Sequence, residues 1–447
     1  MIHRNSEGRV FIEQVPVSRV AKEFGTPVYA YSKEQIQKNA RYLKQTLSQY
    51  FDHFRVQYAV KANTNPYILS ILKDEGMGAD CSSPYELEMT KRMGFPMERS
   101  TYTGNYESPS DLKAAVESGI TVNLDDHTRL DELLSFGKPS LLSFRINPGV
   151  GRSSYEGTTT AGTDAKFGIP YEKTREAFKK ALDAGVERFG IHMMTGSNNL
   201  EPFYFAEVTQ KLFSIIQNSL NDLDLKLEFI NIGGGLGVPY SDHEKSLDLE
   251  TTVKLVSQVF HEQVSKLDIG NPALVMEPGR FLVANAGALI SRVTHVKEAY
   301  KRFMGIDAGM NTLIRPSLYG AQHRIWMDGK DGRSTKTYYV CGQICENSDI
   351  HPFVRSFPEV NRGDLAVVLD TGAYGFTMAS NYNNRPRPAE VLIDQNEAKL
   401  IRKAEQFEDL LSHIPQWEFS TPQSDTKSAE KSPEEVGELR RRQYSQA

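Results

Sequence analysis

The sequence predicts an α/β fold: a (β/α)8 TIM barrel followed by a mostly β C-terminal domain, sandwich-like or barrel-like. Three observations point there. Eight short apolar runs alternate with helical patterns between residues 36 and 295. The chemically rich residues fall at the C-terminal ends of those runs, which converge on one mouth in a closed barrel. After residue 296 the pattern changes to strand-like runs separated by turns. A doubly wound sheet also uses strand-then-helix units, but it does not demand a count of eight.

Taken in order, residues 1–35 open with a strand-like stretch, GRVFIEQVPV, and a first helix, VSRVAKEFG. The opening strand is expected to join the later β domain. The barrel runs are VQYAVKANTN (56–65), MGADCSSPYE (77–86), STYTGNY (100–106), ITVNLDD (120–126), LLSFRINPG (141–149), VERFGIHMMTG (186–196), LEFINIGGGLG (227–237) and PALVMEPGR (272–280). Between them, segments such as NPYILSILKDEG, SPYELEMTKRMG and SPSDLKAAVESG open on Asn or Ser and close on Lys or Glu and then Gly. Those are helix start and stop signals. Residues 296–411 carry RVTHVKEA, RFMGIDAG, TKTYYVCGQI, DLAVVLDTG and AEVLIDQ, with helix expected only near 351–360 and 402–411. Residues 421–447 are polar and nearly devoid of apolar side chains, so the tail, 412–447, is expected to be disordered, or at most a frayed helix around 434–444.

Charge and cysteine content narrow the function. Lys plus Arg is 52 and Asp plus Glu is 57, a formal charge of −5. That gives no basic field for nucleic acid, and a small-molecule partner is expected. No run approaches the ~20 apolar residues that cross a bilayer, and the opening MIHRNSEGRV lacks the apolar core of a signal peptide. The three cysteines, Cys81, Cys341 and Cys345, make no disulfide framework. They fit a reducing compartment, and a cytoplasmic location is expected. Cys341 and Cys345 lack a second ligand pair, and there is no HExxH, so no metal is expected.

Lys61 ends an apolar strand. Burial there would favour its neutral amine, which can attack a carbonyl; the other reading is a rim lysine reaching to water. An aldehyde cofactor such as pyridoxal 5'-phosphate (PLP) needs a lysine, an anion site, an acid or base opposite its pyridine nitrogen and a flat group against its ring. Gly233-Gly234-Gly235-Leu236-Gly237 follows a strand and can aim N–H groups at phosphate; alternatively it is only a tight loop. It is not GxGxxG, which argues against a dinucleotide. Glu277 could hold the pyridine nitrogen, or pair with a lid arginine. Gly279 can add backbone donors, and Arg280 can meet a substrate carboxylate. His192 could lie flat on a ring, or be a core or rim histidine. Asp80 ends the second strand. Met193 and Met194 read as packing.

At this point the chain resembles the fold-type III PLP decarboxylases of the alanine-racemase-like class, nearest to the diaminopimelate decarboxylases. The matching stretches are YAVKAN (58–63), DCSSPYEL (80–87), RINPG (145–149), KFGI (166–169), NIGGGLG (231–237), MEPGR (276–280), RPSLYGAQH (315–323), CEN (345–347) and TGAYGFTMASNYNNRPRP (371–388). The resemblance implies a head-to-tail homodimer with shared active sites. Lys61 would carry PLP covalently, His192 would stack on the ring and Glu277 would face the pyridine nitrogen. Asp80, Ser197, Gly235, Gly237, Gly279, Arg280 and Tyr374 would complete the cofactor site. Arg280, Arg315 and Tyr319 would hold the far carboxylate of a dicarboxylic substrate, and Tyr374 would reach the phosphate or substrate end from the second domain. Cys345, as proton donor, and Glu346, near the distal amine, would come from the partner chain.

Two departures bear on the substrate. Where the family has His-Ile-Gly-Ser-Gln, the chain reads His192-Met-Met-Thr-Gly-Ser-Asn198, which displaces the glycine and serine from His192 by two positions. Where the family has Cys-Glu-Ser-Gly-Asp, it reads Cys345-Glu346-Asn347-Ser348-Asp349. The expected activity is decarboxylation of meso-diaminopimelate to L-lysine and CO2. A larger conjugated diamino acid, such as N-citrylornithine in siderophore or other secondary biosynthesis, is the alternative. Ornithine- or arginine-type substrates, racemisation and a non-enzymatic PLP-binding role rank lower.

Overall fold

The computed structural model describes residues 1–330 and 335–415. One unit spans Met1–Gln406; a second begins at Phe407, where a short helix, Phe407–Leu411, is described. Residues 416–447 of the tail expected to be disordered lie outside the described residues.

Eight parallel strands close into a barrel: Phe54–Ala59, Gly78–Cys81, Thr101–Tyr102, Thr121–Leu124, Leu142–Asn147, Phe189–His192, Leu227–Asn231 and Ala273–Met276. Each pairs with the next, and the last returns to the first through Leu274↔Phe54. A two-residue strand, Ile169–Pro170, lies outside this ring on Leu142–Asn147. Residues such as Tyr58, Ala79, Val122, Phe144, Ile191, Ile230 and Leu274 are sealed from solvent. That burial explains why the strands read as apolar runs rather than as alternating patterns.

The helices begin where the sequence signals them. Asn65, Ser83 and Ser108 cap the helices Pro66–Asp74, Pro84–Arg92 and Pro109–Ser118, each with proline in its first turn. Proline fits there because its missing N–H had no intrahelical partner to lose. Among the described residues, no helix is long and apolar enough to cross a membrane.

From Gly287 the chain is mostly β. The long strand Gly287–Glu298 pairs with Val28–Ser32 along its first half, with Leu365–Val368 on the opposite edge, and with Arg302–Ile306 along its second half. Val28–Ser32 pairs in turn with Ala389–Asp394. The N-terminal contribution to this sheet is therefore Val28–Ser32, not the opening GRVFIEQVPV stretch. Val10–Ile12 instead pairs with Ile2–Arg4 and Val15–Pro16 in a small sheet of its own. Its Val10 and Ile12 pack with Ala288, Val367 and Val391 of the large sheet. The helix expected near 351–360 is absent: Arg355–Phe357 is a strand on Lys336–Cys341, and the prolines at 352 and 358 leave no room for a helix there.

Candidate active site

The C-terminal ends of the barrel strands surround a cavity of about 280 Å³. Lys61 enters it from a helical turn, Val60–Ala62, directly after the first strand. Its Nζ donates to Asp80 Oδ2 at 2.9 Å and to Ser82 Oγ at 3.2 Å. The side chain keeps 46% of its surface open, and that surface faces the cavity. Burial alone would lower the lysine pKa, as the sequence suggested. The structure reverses the sign, because the buried Asp80 carboxylate, with Tyr374 and Glu277, outweighs desolvation and holds the amine protonated. Asp80 is itself raised, by burial and by the charge of Glu277, against the pull of Lys61.

Glu277 follows the eighth strand and is buried. Its Oε1 accepts from Asn231 Nδ2 at 2.6 Å, and its Oε2 meets His192 Nε2 at 3.1 Å. Burial pushes this carboxyl up, but His192, Lys61 and Asn231 prevail and bring it down to about 2. The edge of His192 is thus engaged with a carboxylate.

Arg280 opens a short helix, Arg280–Val283, and is buried. Its Nη1 donates to Tyr240 Oη at 2.6 Å and its Nη2 to Ser197 Oγ at 3.0 Å. Ser197 reaches the cavity in spite of its altered spacing from His192. Tyr374 arrives from the β region with φ 56°, its N–H bonded to the Ala62 carbonyl at 2.8 Å. The Arg280 guanidinium lies 4.9 Å from the Tyr374 ring centre. Gly235 and Gly279 line the cavity. A Cβ on Gly235 would stand 2.9 Å from the Gly196 carbonyl oxygen, and one on Gly279 would stand 2.9 Å from Ala62 Cβ. Gly237 is not brought to the cavity. Its N–H is committed to the Asn199 carbonyl at 3.0 Å, because Leu236 and Asn199 form a small parallel bridge.

Arg315 and Tyr319 sit on a short helix, Arg315–Tyr319, beside this cavity rather than in its wall. Arg315 Nη1 donates to His323 Nε2 at 2.8 Å, and its guanidinium lies 4.4 Å from the Tyr240 ring centre. Tyr319 stacks with Tyr155 at 6.2 Å. Cys345 and Glu346 are exposed, outside the cavity of their own chain; Glu346 accepts from Tyr382 Oη and Ser348 Oγ. The sequence reading assigned no role to Asn231, Tyr240, Ser82 or His323. Tyr240 stands three residues after the glycine run and His323 closes RPSLYGAQH, so both lay within reach of the motifs.

The donor set fits PLP. Asp80 Oδ1, His192 Nδ1 and Arg280 Nε are buried polar atoms without a partner among the described residues. They belong to residues that line the same cavity as the lysine and the glycine loop. Buried polar atoms are normally paired, so a cluster of orphans marks a place for a ligand.

Comparison with known proteins agrees. Residues 33–284 match the family model "Pyridoxal-dependent decarboxylase, pyridoxal binding domain". The diaminopimelate decarboxylase of Methanothermobacter thermautotrophicus is 37% identical over 412 residues, 92% of this chain and 96% of that one. The crystal structure of diaminopimelate decarboxylase from M. jannaschii in complex with L-lysine superposes with a TM-score of 0.86 at 32% identity, covering 92% of this chain and 97% of that one. The Helicobacter pylori enzyme complexed with L-lysine gives 0.81 at 30%, covering 89% and 98%. The chain belongs to the pyridoxal-dependent decarboxylases.

Proposed function

We propose that the protein removes one carboxylate from meso-diaminopimelate, releasing CO2 and L-lysine. The observation that carries this reading is the pairing, in one cavity, of the lysine–carboxylate pair Lys61–Asp80 with Glu277, opposite the cationic cluster built on Arg280. The long, well-covered likeness to enzymes of that name supports it.

When bound, PLP supplies the electron sink that lets the bond between the substrate's α-carbon and its carboxylate break. The chain's own residues do the rest. Lys61 holds the cofactor, and Asp80, its hydrogen-bond partner, is placed to take the proton the amine must lose before it can act as a nucleophile. Glu277, kept ionised by His192 and Asn231, offers a negative charge to the pyridine nitrogen. Ser197, Gly235, Gly279 and Arg280 form the anion-binding side, and Tyr374 closes it. Arg315 and Tyr319, with Arg280, hold the far carboxylate. Arg315 Nη2 is a buried donor without a partner among the described residues, as such a role needs.

Cys345 and Glu346 serve the site of a second copy of the chain in a homodimer, Cys345 as proton donor and Glu346 at the distal amine. Their exposure on their own chain supports this. Three free cysteines, one exposed, fit the reducing cytoplasm.

The altered stretch 193–198 and the altered residues Asn347 and Ser348 keep a larger conjugated diamino acid as a second reading. One assay separates them. Purified protein with PLP is given diaminopimelate, ornithine, arginine, lysine or N-citrylornithine, and CO2 and amine products are measured. Turnover of diaminopimelate far above the others is expected. Rapid loss of CO2 from a conjugate, with none from diaminopimelate, would overturn the assignment.

A further inference from the structure

A guanidinium that receives an anion has to be aimed, and a carboxylate partner would cancel the charge it offers. The chain aims Arg315 with an imidazole instead. The helix Arg315–Tyr319 ends at Gly320, whose φ of 65° lets the chain turn back. His323 is thereby returned to Arg315, with its Nε2 at 2.8 Å from Nη1. The peptide of Leu369 holds this return in place. Its N–H donates to the Arg324 carbonyl at 2.8 Å, and its carbonyl meets His323 Nδ1 at 2.8 Å. Arg355 Nη2 donates to the His323 carbonyl at 2.9 Å. The Tyr240 and His323 rings meet edge to face, 4.9 Å apart at 71°.

The partners decide the state of the ring. A carbonyl only accepts, so Nδ1 carries the hydrogen; a guanidinium only donates, so Nε2 is bare. His323 is therefore the neutral Nδ1–H tautomer. Burial and the charge of Arg315 act the same way, holding its pKa well below the usual histidine value. A guanidinium is a flat, rigid fork. With Nη1 pinned to His323 and the group set 4.4 Å from the Tyr240 ring centre, the direction of Nη2 is fixed as well. Nη2 is the buried donor without a partner among the described residues. Arg315 is 1% exposed and His323 0%, and neither is in the wall of the Lys61 cavity. The pair is thus set by the fold and not by what fills that cavity.

We propose that His323 is a positioning residue for substrate recognition: it accepts one N–H of Arg315 so that the other points at the far carboxylate. The proposal rests on the reading of Arg315 as the holder of that carboxylate. A neutral acceptor orients the cation and leaves its charge for the substrate.

The test is the steady-state kinetics of the PLP-loaded enzyme with diaminopimelate. His323→Asn can keep the bond to Leu369 but is too short to reach Arg315. It is expected to raise KM about tenfold, as loss of a hydrogen bond to a charged group does, with kcat moved less. His323→Gln places an amide oxygen near the position of Nε2 and is expected to restore most of that loss. In an Arg315→Met background, His323→Asn is expected to change KM by less than about twofold, since the group it aims is gone. His323→Leu replaces the Asn variant in this cycle if that variant does not fold. Equal KM values for the parent and His323→Asn overturn the proposal. So does a rise in KM of the same size with and without the Arg315 guanidinium, which is what a merely structural role gives. Either result, in a parent that turns over diaminopimelate, leaves the substrate assignment standing. A parent that does not turn it over overturns both.

Discussion

Two charged regions meet at the barrel mouth, and they are balanced differently. In the first, each buried carboxylate has a basic partner from its own chain: Asp80 has Lys61 and Glu277 has His192. In the second, Arg280 and Arg315 share one neutral ring, Tyr240, and their polar partners are hydroxyls and an imidazole. Among the described residues neither of these arginines is paired with a carboxylate, so their charge is left for an anion brought from outside. The self-balanced region is suited to chemistry and the unbalanced one to recognition. This matches a substrate that gives up one carboxylate and keeps another.

Breaking the first region should cost far more in turnover than breaking the second. Lys61→Ala should lower kcat by at least about 10³-fold, read as CO2 release under single-turnover conditions. Glu277→Gln keeps the shape and removes the charge; a drop in kcat of about 10²-fold is expected, with the absorbance of bound PLP retained. In the second region, Arg315→Met should raise KM for diaminopimelate roughly tenfold to 100-fold, the worth of a charge-assisted hydrogen bond, while kcat changes less. An equal loss in kcat and KM would erase the contrast between the regions.

The smallest effect sharpens the first region alone. The Glu277 carboxyl falls from an ordinary 4.5 to about 2 on folding. Its contribution to stability is thus full above pH 4.5 and fades as pH drops toward 2. Chemical denaturation of the parent and of Glu277→Gln at several pH values should show their difference shrinking across that window and constant above it.

The eight strands were legible because burial on both faces leaves continuous apolar runs, and the residues that end them were legible because barrel geometry gathers strand ends. Lys61, Asp80, His192, Ser197, Gly235, Glu277, Gly279, Arg280 and Tyr374 do meet in one cavity. What escaped the sequence depended on neighbours distant along the chain. The sign of the Lys61 shift is set by Asp80, from another strand. Gly237 looks like its neighbours in the glycine run, but its N–H is claimed by Asn199. Val28–Ser32 reads as any strand would, and its place in the large sheet follows from partners near residues 290 and 390.

The turn that carries Lys61 is clasped from the far side. Ala62 gives its carbonyl to the Tyr374 amide and to Thr377 Oγ1, and Asn63 Nδ2 donates to the Gly372 carbonyl. Severed from the sheet, the barrel would keep its staves and lose the latch beside its reactive amine. Chain from beyond the barrel thus belongs to the catalytic centre as fully as the strands that encircle it.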